Sequence, residues 1–384
     1  MKRALDDSIS KDLRHKLVFL TGARQVGKTT LSQALITANQ PGQYLNFDVA
    51  ADREVIVSQA WRRDARLLVL DELHKMPQWK SWLKGVIDGH PLTLQILVTS
   101  SARMETFRQT GESLAGRFLA WRLHPVSVRE WCEHGPADDV GARPTPEAAL
   151  TRLLARGGFP EPLLLPDVVD ANRWRKDYLS GLLREDILEF SRIHELATMR
   201  ALMDLLRARV GAPLSLASLA RDLQVAQPTL KRYLDILQAL FIVFVVQPWH
   251  RNVARSLLQA PKVYFFDTGL VEGDAGVRFE NVVACLLLKH VQWREDALGH
   301  ETALHYLRTK DGAEVDFALA DNNTLSHLVE CKLTQTTPSR ALHRFAGEWP
   351  GAAAVLLVQE ARNEADHGRV QVRNAAPWLA RLDA

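Results

Sequence analysis

Apolar residues fall into short runs, separated by stretches of helical spacing. Leu17 to Leu20 is such a run; Arg66 to Leu70 carries Leu-Leu-Val-Leu after its arginine, and Leu94 to Val98 is interrupted only by Gln95. None alternates with polar residues, so each predicts a strand buried on both faces, as in a parallel sheet. Between them, apolar positions recur three and four apart, first over Thr30 to Thr37. Residues 1–134 thus predict a doubly wound parallel α/β sheet.

The pattern then changes. Gly135 to Pro146 is a loop by composition, and helical spacing returns from Glu147 to Val210, broken at Gly157-Gly158-Phe159-Pro160. Residues 135–210 therefore predict a linker and a helical lid or connector. In residues 211–262, Leu216, Leu219, Ala220 and Leu223 space one short helix, and Gln224 to Ala226 makes a turn. Gln227-Pro228 opens a second helix, with proline tolerated at its first position. Leu230, Tyr233, Leu234 and Leu237 mark its core side, and Phe241 to Val246 is a β run. That order predicts a helix-turn-helix with a wing. Residues 263–384 hold a helical stretch, Asn281 to His290, then strand-like runs Ala303–Thr309, Ala313–Leu319 and Thr324–Leu333. They predict a small α/β domain.

The strand ends carry the chemistry. Gly22-Ala23-Arg24-Gln25-Val26-Gly27-Lys28-Thr29, followed by Thr30, fits the phosphate-loop pattern G-x-x-x-x-G-K-[ST] between a strand and a helix. Glycines let the backbone N–H groups face phosphate oxygens, and the helix N-terminus adds partial positive charge. ATP is the expected ligand: Lys28 would reach the β- and γ-phosphates and Thr29 would hold Mg2+. Asp71-Glu72 ends the second apolar run. Asp71 would complete the Mg2+ shell and Glu72 would orient and polarise the attacking water. The third run ends in Thr99-Ser100-Ser101. Ser100 either touches the γ-phosphate or its water, or belongs to an ordinary Ser-rich turn. Downstream, Arg117 is the first candidate for an arginine donated by a neighbouring subunit, with Arg103 and Arg122 behind it; a solvated surface arginine is the other reading.

Charge sharpens the middle segment. The 384 residues carry a net +3, yet residues 171–262 hold 14 Lys+Arg against 8 Asp+Glu, which is +6 locally. An anionic partner is expected there, with DNA contacts on Lys231, Arg232, Arg251 and Arg255. The three cysteines, Cys132, Cys285 and Cys331, fit neither a disulfide framework nor a zinc pattern. No apolar run approaches membrane-spanning length, and Met1 to Arg14 lacks the apolar core of a secretory signal. A reducing cytoplasm without a membrane partner is the expectation.

A second cluster lies near the C-terminus. Glu330 and Lys332 sit two apart on one strand and share a face, Asp316 could face them from the next, and Glu280 opens the helical stretch. Two or three carboxylates around a second Mg2+ or a Mn2+, with one lysine, suit phosphodiester hydrolysis. A solvated salt-bridge ladder across a hairpin is the alternative.

Taken in order, Gly22–Thr30, Asp71-Glu72-Leu-His-Lys-Met-Pro-Gln-Trp79, Ser113-Leu-Ala-Gly-Arg117, Gly157-Gly-Phe-Pro160, Pro261-Lys-Val-Tyr-Phe-Phe-Asp-Thr-Gly-Leu270, Glu314-Val-Asp-Phe317 and Glu330-Cys-Lys332 run the length of the chain. The set resembles prokaryotic AAA+-type ATPases with a C-terminal restriction-endonuclease-like domain of unknown function. The resemblance implies a P-loop AAA+ core, a winged helix and a nuclease-like PD-(D/E)XK fold. It places nucleotide contacts on Gly27, Lys28, Thr29 and Asp71, hydrolysis on Glu72 and a sensor role on Ser100. It places a nuclease-like metal site on Glu280, Asp316, Glu330 and Lys332. Thr99 departs from the pattern, where relatives tend to carry glycine. The leading expectation is an ATP-hydrolysing, DNA-binding homo-oligomer, a hexamer among the options, that translocates, unwinds or migrates branches, with a metal-dependent nuclease domain. The alternative is a STAND-like regulatory NTPase switch with a catalytically silent C-terminal domain.

Overall fold

A computed structural model describes residues 1–89, 94–101, 114, 116–137, 141–184, 196–250 and 260–384. The chain divides into two compact units. The first is Met1–His124 with Ala239–Phe241; the second is Pro125–Gln238 with Ile242–Ala384.

The first unit is built on strands β1 (Leu17–Gly22), β2 (Gly42–Asn46), β3 (Leu67–Asp71), β4 (Gln95–Ser100) and β5 (Phe118–Leu123). They form one sheet in the order β2-β3-β4-β1-β5, and every adjacent pair is parallel. Helices α1 (Asp6–Asp12), α2 (Lys28–Ala38), α3 (Ala50–Ser58) and α4 (Trp79–Gly89) accompany it. β1 and β3 are buried at every position, which is why they carry no alternation. Edge strand β2 buries only Leu45, so its pattern is weak. Phe19 meets Trp79 and Phe118 edge-on, with ring centroids 5.8 and 4.9 Å apart. Such pairs add to the burial that fixes the sheet.

In the second unit the helices are α5 (Val128–His134), α6 (Pro146–Arg156), α7 (Pro160–Leu164), α8 (Val168–Arg184), α9 (Leu196–Arg207), α10 (Leu216–Asp222), α11 (Gln227–Ala239), α12 (Ala275–Leu298), α13 (Arg340–Glu348) and α14 (Ala375–Leu379). The strands are β6 (Val243–Pro248), β7 (Lys262–Phe265), β8 (Thr302–Arg308), β9 (Glu314–Asp321), β10 (Thr324–Lys332), β11 (Ala353–Val358), β12 (Ala365–His367) and β13 (Val370–Asn374). They pair in the order β12-β13-β11-β10-β9-β8-β6-β7. Helix α12 contains the expected stretch Asn281 to His290 and packs on β7 and β8. Among the described residues, no helix is long and apolar enough to cross a membrane.

One element lies differently from its expected setting. The β run read as a wing is β6, which pairs antiparallel with β7 and, through Gln247 and Pro248, parallel with β8. It therefore extends the C-terminal sheet, and the expected boundary at 262/263 falls inside β7. The cross-strand pairs Val243 with Phe265 and Phe244 with Tyr264 are buried, so apolar pairing joins the strands.

The Gly157-Gly158 and Phe266-Asp267-Thr268-Gly269 segments meet at a buried ion pair. Arg175 Nε donates to Asp267 Oδ2 at 2.9 Å, with 5% and 1% of the side chains exposed. A Cβ added at Gly269 would stand 1.8 Å from Arg175 Nε, so only glycine fits there. Burial pushes the Asp267 carboxyl above its usual range, with Arg175 opposing. Removing one partner of such a pair typically costs ~3–5 kcal/mol, because the other stays buried and uncompensated. Arg175→Leu should lower the melting temperature of the second unit by about 10 °C, at roughly 2–4 °C per kcal/mol. An unchanged calorimetric transition would show the pair to be dispensable.

Candidate functional site

The phosphate loop leaves β1 and enters α2. Gly27 stands before the helix at φ +106°, and Gln25 is also left-handed at φ 61°. These turns fold the loop back, and Lys28 Nζ donates to the carbonyls of Gly22 and Ala23, both at 2.9 Å. Lys28, Ala23 and Val26 are buried; Arg24 and Gly27 are partly so, and Gln25, Thr29 and Thr30 are exposed. Arg3 braces the loop: its guanidinium donates to Val26 O at 3.0 Å and to His124 O at 2.5 Å. Arg3 is 5% exposed, and nothing in its local sequence marks it.

Asp71 ends β3, separated from β1 only by β4. Its carboxylate accepts from the Tyr44 hydroxyl, from the Thr99 hydroxyl and from Glu72 N at 3.1 Å. Thr99, the departure from the family pattern, thus orients Asp71 from the adjacent strand. Tyr44 went unnoticed in the sequence because it lies on a weakly patterned edge strand. Burial, then hydrogen bonding to Asp71, raises its pKa, with Thr29 and Asn46 opposing. Thr29, at the start of α2, and Asp71, at the end of β3, are the two groups expected to hold Mg2+. That oxygen-rich pairing fits a hard cation.

Glu72 is left-handed at φ 54°, with its N–H donating to Thr99 O at 3.1 Å. Burial pushes its carboxyl up, with Lys28 opposing. Ser101 Oγ donates to Glu72 Oε2 at 3.3 Å, and His74 Nδ1 lies 3.4 Å from the same oxygen. His74 Nδ1 is also 3.0 Å from Ser100 Oγ. Burial, then Lys75, lowers the His74 pKa to about 4, so the ring is neutral near pH 7. His74 Nδ1 therefore stands between Ser100 Oγ and Glu72 Oε2. Arg117 pairs with Asp88 at 2.5 Å, Arg122 lies partly buried on β5, and Arg103 is outside the described residues.

Lys231 and Arg232 are exposed on α11, opposite its buried Leu230, Tyr233, Leu234 and Leu237. The Arg232 guanidinium stacks over the Tyr233 ring at 5.4 Å. Arg251 and Arg255 fall outside the described residues.

The C-terminal carboxylates are arranged otherwise than a metal shell requires. Asp316 Oδ2 accepts from Cys331 N at 2.8 Å, and burial, then Glu280, raises its carboxyl to about 7. Glu280 accepts from the Tyr264 hydroxyl at 2.7 Å. Glu330 turns to Ser339 N at 3.2 Å and to Lys332 Nζ at 3.4 Å. Among the described residues, no group of three or more His, Cys, Asp or Glu side chains is placed to hold a metal ion. Instead the buried Lys262 ammonium lies 2.6 Å from Glu314 Oε1 and 3.5 Å from Glu280 Oε1. The described arrangement therefore does not fit a divalent ion. Lys262 lies within the Pro261–Leu270 stretch of the sequence motifs, but nothing local assigns it a partner.

Comparison with known proteins matches residues 14–132 to an AAA domain, 147–278 to a domain of unknown function (DUF8612) and 275–376 to another (DUF4143). Rv2008c of Mycobacterium tuberculosis, described as an uncharacterized protein, is 31% identical over 311 residues, covering 79% of this chain and 67% of its own. MJ1544 of Methanocaldococcus jannaschii, described likewise, is 21% identical over 88% of this chain and 80% of its own. The Walker-type ATPase PABY2304 of Pyrococcus abyssi aligns with a TM-score of 0.45 at 17% identity, covering 71% of this chain and 94% of that one.

Proposed function

The chain belongs to the same family as Rv2008c of Mycobacterium tuberculosis and carries an AAA domain, and from that premise we propose that it is a DNA-dependent ATPase acting as a homo-oligomer. The observation that carries this reading is the convergence of Lys28, Asp71, Glu72 and Ser100 at the carboxyl ends of adjacent parallel strands. Ligands of open α/β sheets bind at that edge. With ATP bound, Mg2+ would neutralise phosphate charge from Thr29 and Asp71. Lys28 holds the β- and γ-phosphates. Glu72, its basicity raised by burial, orients the attacking water and accepts its proton. Arg117 of a neighbouring subunit supplies the last positive charge, which requires it to leave Asp88. The DNA part of the reading rests on the basic balance of residues 171–262 and on the exposed Lys231 and Arg232.

Steady-state ATP hydrolysis, measured with and without single-stranded, duplex, forked and four-way DNA, tests this. One DNA form should raise the rate at least tenfold, and Lys231→Ala/Arg232→Ala should blunt that rise while sparing the basal rate. A flat response to every form would sink the DNA-coupled reading. It would leave the second one, a regulatory NTPase switch with a silent C-terminal domain, which the position of Lys262 among the carboxylates favours.

A further inference from the structure

A lysine does not bury its ammonium without strong compensation. Lys262, on β7, is 1% exposed, and it is surrounded from three elements. Glu314 and Asp316 approach from β9, Glu280 from α12, and the Tyr306 ring from β8 with its centroid 5.2 Å from Nζ. Burial pulls Lys262 toward neutrality, but Glu280, Asp316 and Glu314 outweigh it and hold the amine charged. The remaining oxygens are also engaged. Tyr264 donates to Glu280, Arg308 to Glu314 at 2.7 Å, and Cys331 N to Asp316. Every carboxylate of the cluster is thus hydrogen-bonded or ion-paired within the chain itself.

We propose that the Lys262 ammonium is the resident cation of the Glu280–Glu314–Asp316 cluster and excludes the divalent ion that these carboxylates would otherwise bind. A hard divalent ion needs several oxygens at roughly 2.0–2.6 Å. Lys262 already takes one oxygen each from Glu314 and Glu280, and a second cation there must compete with its fixed ammonium for the same oxygens and be repelled by it at close range. The C-terminal unit is then a metal-independent module, whatever the ATPase unit does with DNA.

Mn2+ binding to the nucleotide-free full chain, followed by electron paramagnetic resonance, tests this apart from any ATPase reading. The wild type and Asp316→Asn should bind the same number of Mn2+ ions. Lys262→Met should gain one site that the wild type lacks, and Lys262→Met/Asp316→Asn should lose it. A wild-type Mn2+ site that vanishes in Asp316→Asn would overturn the proposal, and that comparison stands even if Lys262→Met fails to fold. A folded Lys262→Met protein that gains no site would overturn it too.

Discussion

Lys28→Ala should abolish measurable ATP binding while leaving the fold intact. The side chain is buried at the mouth of the loop, its ammonium already 2.9 Å from two loop carbonyls, so its position is preorganised. Charge-assisted hydrogen bonds contribute about 1.5–3 kcal/mol each. Two such bonds to phosphates therefore represent about 3–6 kcal/mol, or roughly 100- to 10,000-fold in affinity at 1.4 kcal/mol per decade. A fluorescent ATP analogue reads the loss directly, and melting of the same sample provides the control for folding. Retained affinity within threefold of the wild type would remove Lys28 from the site.

What the sequence discloses follows from how each element is buried. β1 and β3 are covered on both faces, so their apolar runs stand out from single residues. The phosphate loop is equally plain, because its work is done by consecutive residues. Tyr44, Thr99 and Arg3 were not legible as site residues. Each acts through a contact far along the chain: Tyr44 and Thr99 on Asp71, Arg3 on the Val26 and His124 carbonyls. The same applies to Lys262, whose partners lie on α12 and β9. The run at Phe241 to Val246 announced a strand correctly but not its sheet. Pairing of Gln247 and Pro248 with β8 is a tertiary choice that no local pattern encodes.

Glu72→Gln should keep ATP bound and stop turnover. Glutamine retains the shape and one acceptor oxygen, so the Ser101 hydrogen bond can persist, but it cannot take a proton from water. Removing the negative charge also lessens repulsion of the anionic ATP phosphates in the bound state, so affinity should hold or rise slightly. Loss of a positioned general base lowers the rate by about 100- to 10,000-fold. Single-turnover hydrolysis should therefore fall within that range, with the dissociation constant for ATP within threefold of the wild type. The neutral His74 shared between Ser100 and Glu72 gives a second readout. If Glu72 is the base and His74 only holds it, His74→Ala should lower the rate without matching the loss at Glu72. Equal losses in both variants would place the proton acceptor on the pair, and normal hydrolysis by Glu72→Gln would place it elsewhere.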